Sequence, residues 1–130
     1  MNVVIKKLLG FAKIILYDNG ILHVHFLGKK NIDILQAKEV SEFRESLFVT
    51  SRALVLTTCE DRFIIPTQEV MEFINSENRA LTVKGDAFVI MSLSQRLFIK
   101  TAVGLKNRKT PISFFATKEN AIEWLLSKKD

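Results

Sequence analysis

Two histidines two residues apart, His23 and His25, are the first side chains in the chain that could carry chemistry. They fall in a β-rich run from Ile21 to Leu27, where residues two apart point to the same face of a strand. Two imidazoles on one face could hold a metal ion if a third ligand came from elsewhere. The sequence has no further histidine, and its single cysteine lies in a different segment. We therefore interpret the pair as solvent-facing polar side chains and predict no metal site.

The single thiol, Cys59, follows a strongly apolar run and stands close in sequence to Arg62. A nearby cation or a helix N-terminus lowers the pKa of a thiol and makes it reactive. Thiol catalysis also needs a histidine base and a group that orients it, and neither is evident around Cys59. The thiol is therefore interpreted as an incidental free cysteine. Since one cysteine forms no internal disulfide, we expect a cytoplasmic protein.

Glu60 and Asp61 are the only adjacent carboxylates in this loop, which runs from Thr58 to Arg62. In an extended loop neighbouring side chains diverge, which is poor geometry for a general acid and base acting together. The pair is interpreted as a solvated contact with Arg62 or with a partner. Neither a P-loop nor a dinucleotide fingerprint occurs, and the chain has only five glycines. We predict no catalytic residue, no cofactor and no enzymatic activity.

The charge of +5 comes from 19 basic and 14 acidic residues. The basic residues are scattered in small clusters rather than gathered on one helix or interleaved with aromatics, so we predict no nucleic-acid partner. Ten phenylalanines against one tyrosine and one tryptophan indicate a dry core rather than a binding face. Lysines interrupt the apolar start of the chain, and no run approaches a membrane span, so we predict neither a signal peptide nor membrane insertion.

Hydrophobic periodicity predicts alternating strands and helices after a lead-in segment, residues 1–11. Two strands, Ala12–Tyr17 and Ile21–Leu27, form a hairpin because Asn19-Gly20 between them tolerates positive φ. The remaining predicted elements are a helix from about Ile34 to Leu47 capped by Asp33 and Gln36, a strand at Ala53–Thr57, a helix capped by Thr67, a further helical turn at Arg79–Val83, a strand at Ala87–Met91, a helix with a stripe of Leu93, Leu97, Thr101 and Leu105, a strand ending at Ala116, and a helix capped by Thr117.

This order, ββαβαβαβα, predicts an α/β domain that spans residues 1–130. Strands that alternate with helices form a mostly parallel sheet with right-handed crossovers. The first strand, joined by a tight hairpin, is antiparallel to its neighbour.

Three strings, Tyr17–Leu22, Ala87–Ser92 followed by Arg96, and Phe115–Leu125, resemble small stand-alone STAS-like proteins of Bacteroidetes-type bacteria. The element order is similar to that of the wider STAS-like group, which includes bacterial anti-sigma-factor antagonists and the cytosolic domains of sulfate transporters. The resemblance runs from about Lys13 to the C-terminus. It implies a STAS-like fold and a regulatory role through protein binding.

In the antagonists a phosphorylatable serine follows the strand that corresponds to Ala53–Thr57. Here that segment reads Thr57-Thr58-Cys59-Glu60-Asp61-Arg62, with neither a serine nor a glycine. Thr58 is the nearest acceptor, but the serine motif itself is absent.

The preferred hypothesis is therefore a non-enzymatic STAS-like protein-interaction or regulatory module. Its predicted partner-facing loop is Thr58, Cys59, Glu60, Asp61 and Arg62, since ligands of open α/β sheets gather beyond the carboxyl ends of the strands. We expect a protein partner of unknown identity, and a homodimer is compatible with the sequence. The alternative is a small-molecule or lipid-binding module with an apolar pocket between sheet and helices. Trp124 and the phenylalanines are interpreted mainly as core.

Overall fold

A six-stranded sheet in sequential order, β1 to β6, organises the chain. The computed structural model describes residues 1–28, 31–61, 66–103 and 110–129. The strands are β1 Val3–Leu9, β2 Ala12–Tyr17, β3 Ile21–Phe26, β4 Ala53–Cys59, β5 Val83–Val89 and β6 Ile112–Phe115. The pairs β1–β2 and β2–β3 are antiparallel, and the three later pairs are parallel. The predicted α/β class and mostly parallel sheet are confirmed.

Five helices occur among the described residues: α1 Ile34–Leu47, α2 Gln68–Ile74, α3 Glu77–Thr82, α4 Leu93–Val103 and α5 Lys118–Ser127. The starts of α1, α2 and α5 follow the predicted caps, whereas α3, predicted as a turn at Arg79–Val83, begins at Glu77 and is capped by Ser76. Asp33 and Gln36 form a capping box on α1, and Thr67 and Thr117 accept backbone N–H groups of α2 and α5. None of the described helices has the length and hydropathy required to cross a bilayer.

The two faces of the sheet carry separate cores because successive side chains of a strand point in opposite directions. In β4, Ala53 and Val55 join the core beneath α1 and α2, while Leu54 and Leu56 join the core beneath α5. The strand is buried on both faces, as its continuous apolar run predicts. Trp124 packs against the α5 core, as predicted. A smaller cluster joins α2 to α4 through Met71 and Ile99.

The hairpin between β2 and β3 forms where predicted, but by a different turn. Gly20 alone has a positive φ, +89°, while Asn19 keeps a negative one. The Gly20 N–H donates to the Tyr17 carbonyl over 3.0 Å, and the Ile21 N–H donates to Asn19 Oδ1 over 3.1 Å. This is a type I turn followed by a left-handed glycine.

Two strand predictions were wrong. The lead-in, residues 1–11, contains the edge strand β1, which pairs with β2 from Val3↔Tyr17 to Leu9↔Ala12. Its apolar run lacks alternation, so it carries no period-2 signal, and the pairing with β2 creates the strand. The strand predicted at Ala87–Met91 begins earlier, at Val83, and ends at Val89. Its first half contains Lys84, Gly85 and Asp86, which are rare in strands and hid its start.

The helix α4 forms where its apolar stripe predicts a helix, but the first two members of that stripe, Leu93 and Leu97, are more than half exposed. Ile99, two residues further along the chain, is buried. Leu105, the last member of the predicted stripe, lies outside the described residues.

Gly20→Ala should lower the free energy of unfolding by about 1–2 kcal/mol, because a Cβ disfavours the left-handed region that the turn requires. Urea denaturation measures the change. Gly10→Ala is the matched control, since Gly10 sits in a turn with equal space for a Cβ but without a positive φ. Equal losses in the two variants would contradict this account of the turn.

Candidate functional site

The predicted partner-facing loop divides between a strand and its exit. Thr58 and Cys59 are the last residues of β4 and point to opposite faces of the sheet. Thr58 is buried, Cys59 and Asp61 are half-buried, and Glu60 is exposed. Arg62 lies outside the described residues. The structure therefore brings Thr58 to the α5 side of the sheet and Cys59 to the side of α1 and α2.

Thr58 is the centre of a polar cluster with both histidines. Its Oγ1 lies 2.6 Å from His23 Nε2 and 2.7 Å from His25 Nδ1. The cluster forms because β3 and β4 are parallel, with His25 opposite Thr58 and His23 opposite Leu56. Tyr17 on β2 stacks on His23 at a centroid distance of 6.4 Å. The histidines were predicted to face solvent together, but His23 is buried and His25 is half-buried.

Both imidazoles are neutral near pH 7. Burial is the main reason that the pKa of His23 falls from 6.5 to about 4, and the charge of Lys118 and then the proximity of His25 lower it further. The pKa of His25 is also lowered, first by burial and then by Lys13. A neutral imidazole has one N–H and one lone pair, and a hydroxyl has one O–H and two lone pairs, so Thr58 is able to accept from one ring and donate to the other.

The least costly arrangement has His23 Nε2–H donating to Thr58 and Thr58 donating to His25 Nδ1. His23 Nδ1 has no hydrogen-bond partner within the described part of the chain. In this tautomer that atom carries only a lone pair, whereas the other tautomer would bury an N–H without an acceptor. The cluster thus joins β3 to β4, and the Thr58 hydroxyl uses its O–H and one of its two lone pairs.

The two histidines have no third metal ligand beside them: among the described residues, no three His, Cys, Asp or Glu side chains come together. Cys59 lies on the other face, and burial followed by the charge of Asp61 raises its pKa to about 12. The thiol is therefore protonated at neutral pH and is a weak nucleophile.

A groove of about 320 Å³ runs along the carboxyl ends of β4, β5 and β6. Thr58, Asp61, Met91 and Lys118 are among its lining residues. This is the edge where open α/β sheets bind their ligands, and it is the edge predicted for the partner-facing loop.

Beyond this edge, α4 presents an apolar surface that we call the α4 surface: Met91, Leu93, Leu97 and Phe98, each more than half exposed. Leu93 and Leu97 are four residues apart and share one side of the helix, with Phe98 beside them. Met91 also lines the groove, so the two surfaces are continuous. Clustered large apolar side chains at a surface mark a binding site more often than scattered ones do.

A cavity of about 80 Å³ lies on the side of the sheet away from α5, under α1, α2 and α4. Apolar side chains such as Val40, Val55 and Val70 line most of it, together with two buried arginines, Arg44 and Arg79. Typical pockets for drug-sized ligands have at least about 300 Å³, so a lipid does not fit this cavity as it stands.

A buried polar network surrounds the two arginines. Arg79 makes a bidentate ion pair with Asp86, at 2.7 Å from Nε to Oδ2 and 3.1 Å from Nη2 to Oδ1. Arg44 Nη2 donates to Thr82 Oγ1 over 2.9 Å, and Thr82 Oγ1 donates to the Arg79 carbonyl. Burial, followed by the charge of Arg79, lowers the pKa of Arg44 to about 10, so the guanidinium is charged at neutral pH.

Sequence reasoning missed this network. Arg44 lies in the predicted helix Ile34–Leu47, but its burial was not predicted, and Asp86 was left outside the predicted strand Ala87–Met91. The available signal was weak: Arg44 lies four residues from Val40 and three from Leu47, on the apolar side of α1. Its burial depends on Thr82, 38 residues away along the chain.

A protein-family model described as a domain of unknown function (DUF7793) matches residues 15–129. No curated protein matches the chain, and no solved structure does.

Acidification should destabilise the protein through His23. In the unfolded chain His23 gains a proton near pH 6.5, whereas in the folded chain it does so only near pH 4. The contribution of the neutral His23 to the free energy of unfolding is therefore complete above pH 6.5 and is lost as the pH falls to 4. The expected loss is roughly 2–4 kcal/mol. Urea denaturation between pH 7.5 and 4 measures it.

His23→Gln should flatten this pH dependence, because the amide places a polar group near the position of Nε2 and does not titrate. His25→Gln is the matched control and should flatten it less, since His25 is only half-buried. An unchanged slope in His23→Gln would show that other groups cause the acid sensitivity.

Proposed function

The chain belongs to the DUF7793 family, and we propose that it acts by binding a protein partner, as a cytoplasmic regulatory or scaffolding module without enzymatic activity. The observation that carries this proposal is the α4 surface. Burying large apolar side chains on association is worth about 25 cal/mol per Å² removed from water. Leu93, Leu97 and Phe98 on α4, and Met91 just before the helix, offer such area.

The groove adds polar contacts beside this apolar centre. Glu60 is exposed at the exit of β4, and Lys118 is exposed at the first turn of α5. An apolar centre with a polar rim is the usual anatomy of a protein interface. The partner that fits is an amphipathic helix whose apolar side lies on the α4 surface, with its polar flank over the groove. The predicted loop then supplies the rim, through Glu60 and Asp61.

We also propose that the fold is a STAS-like variant with an added N-terminal strand. The elements from β2 onward follow ββαβαβαβα when α2 and α3, which Asn75 and Ser76 separate, are counted as one interrupted helix. The antiparallel β2 and the helical crossovers between parallel strands support this proposal. Regulation by phosphorylation of Thr58 has less support, since that hydroxyl is buried and bonded to two histidines.

Leu97→Asp and Phe98→Asp should each weaken partner binding at least about tenfold, because a charge at the centre of an apolar interface must be desolvated. Leu35→Asp is the matched control: Leu35 is a highly exposed leucine on a different helix, α1. Affinity purification identifies the proteins that the wild type and the control retain but both α4 variants lose. Calorimetry with purified components then measures their affinities.

Self-association is tested in the same series by sedimentation velocity. A wild-type dimer that dissociates in the α4 variants would identify a second copy of the chain as the partner. Equal capture of every partner by the wild type, the control and both α4 variants would refute the α4 surface as the interface.

A second candidate function, small-molecule binding, is favoured by the cavity beneath α1, α2 and α4. An apolar cavity of about 150 Å³ accepts benzene, a ligand of six heavy atoms. A cavity of about 80 Å³ thus holds a molecule of three to five heavy atoms. Neutral and charged fragments of this size, added to ¹⁵N-labelled protein, should shift the amide resonances of Val40 and Val55. A set of fragments that leaves these resonances unmoved would exclude this second function.

A further inference from the structure

The interior around the cavity contains more positive than negative charge. Among the described residues, the buried charged side chains are Arg44, Arg79 and Asp86. Asp86 is wholly buried, and both of its carboxylate oxygens bind Arg79. The ion pair therefore neutralises Arg79 and leaves Arg44 as a buried cation whose own ion-pair partner in the described part of the chain is the partly exposed Glu45, 3.7 Å away. A buried charge whose counter-ion is distant and exposed to water is unfavourable, so this arrangement favours a further anion.

Arg44 also has unused hydrogen-bond donors. Of the five N–H groups of a guanidinium, one on Nη2 donates to Thr82, and one on Nη1 makes a long contact of 3.4 Å with Ser41 Oγ. Nε is buried and has no partner within the described part of the chain. Guanidinium groups bind carboxylates through two parallel N–H donors, a mode that Arg44 still has available.

Two features of α1 offset the charge of Arg44 in part, but neither supplies the missing acceptor. Glu45 Oε1 lies 3.7 Å from Arg44 Nη2, beyond hydrogen-bond distance, and its side chain is 40% exposed, so water screens it. The last turn of α1 contributes the negative end of the helix dipole, which is equivalent to about half a charge. Both features make the cation tolerable in the free protein and leave its Nε unbonded.

The cavity that Arg44 lines is otherwise apolar. Val40, Val55, Val70 and Phe88 are among its walls, and the two arginines belong to its polar part. An inorganic anion would lose its hydration against such walls without gaining contacts on its far side. A carboxylate with a short alkyl group suits both parts, since the charge pairs with Arg44 while the alkyl group contacts the valines. The volume of about 80 Å³ limits the ligand to the size of acetate or propionate.

We propose that this cavity is a binding site for a short-chain carboxylate, held by Arg44 through its unbonded guanidinium edge and enclosed by the apolar walls beneath α1 and α2. The inference rests on the second function, small-molecule binding, and adds the charge and chemical class of the ligand. It is independent of the α4 surface. Ser41 provides a hydroxyl beside Arg44 for a second contact with the carboxylate.

The test compares acetate with acetamide, which has the same shape but no charge. Sodium acetate, acetamide and sodium chloride are each titrated into the ¹⁵N-labelled wild-type protein at constant ionic strength. We expect acetate to shift the amides of Val40, Ser41 and Val55 with a dissociation constant at least about tenfold lower than that of acetamide. Chloride should leave these resonances unchanged. This arm requires no variant and so avoids any effect on folding.

Arg44→Met should weaken acetate binding at least about tenfold and leave the affinity for acetamide within about twofold, because methionine fills similar space without a charge. Glu45→Gln is the matched control on the same helix. It removes the carboxylate that lies 3.7 Å from Arg44 Nη2, so acetate binding should be retained or strengthened.

The outcomes separate the two proposals. Equal shifts by acetate and acetamide would keep the cavity as a small-molecule site and overturn the role of Arg44. Equal shifts by acetate and chloride would identify a general anion site and would also overturn the carboxylate proposal. No shift with any fragment would exclude both the ligand class and the second function. A tenfold preference for acetate that disappears in Arg44→Met supports the inference.

Discussion

The carboxylate of Asp86 is wholly buried in the interior strand β5, and its ion pair with Arg79 is the interaction on which the arrangement of this face depends. Leaving one member of such a pair without its partner costs about 3–5 kcal/mol. The pair therefore holds α3 against β5, the strand that follows this helix without a loop. Through Thr82, the last residue of α3, the same network reaches Arg44 on α1. One buried charge thus connects two helices to the sheet.

Three regions with different chemistry lie on the two faces and at the carboxyl edge of the sheet. The α5 face carries the His23–Thr58–His25 cluster, in which two neutral imidazoles are hydrogen-bonded to one hydroxyl and join β3 to β4. The opposite face carries the cavity and the buried arginines. The groove along the carboxyl edge meets the α4 surface at Met91. Because β4 is buried on both faces, its neighbouring residues Thr58 and Cys59 belong to different environments and have unrelated roles.

Local rules predict most of the helices and fail where long-range pairing decides. Asp33, Thr67 and Thr117 cap their helices as predicted, because capping depends only on residues three or four positions apart. The edge strand β1 has no pattern of its own and exists through its pairing with β2. The start of β5 was hidden because Asp86 disfavours a strand until Arg79 compensates its charge.

The sequence by itself determined the α/β class, the helix caps, the hairpin at Gly20 and the doubly buried strand β4, since each rests on composition, periodicity or a short-range hydrogen bond. Only the tertiary structure decided which polar groups are buried and which apolar groups are exposed. It joined His23 to Thr58 across 35 residues, turned Leu93 and Leu97 outward, and enclosed Arg44 beside a cavity. The physical reason is that burial of a polar side chain depends on partners that are distant along the chain, which no local pattern records.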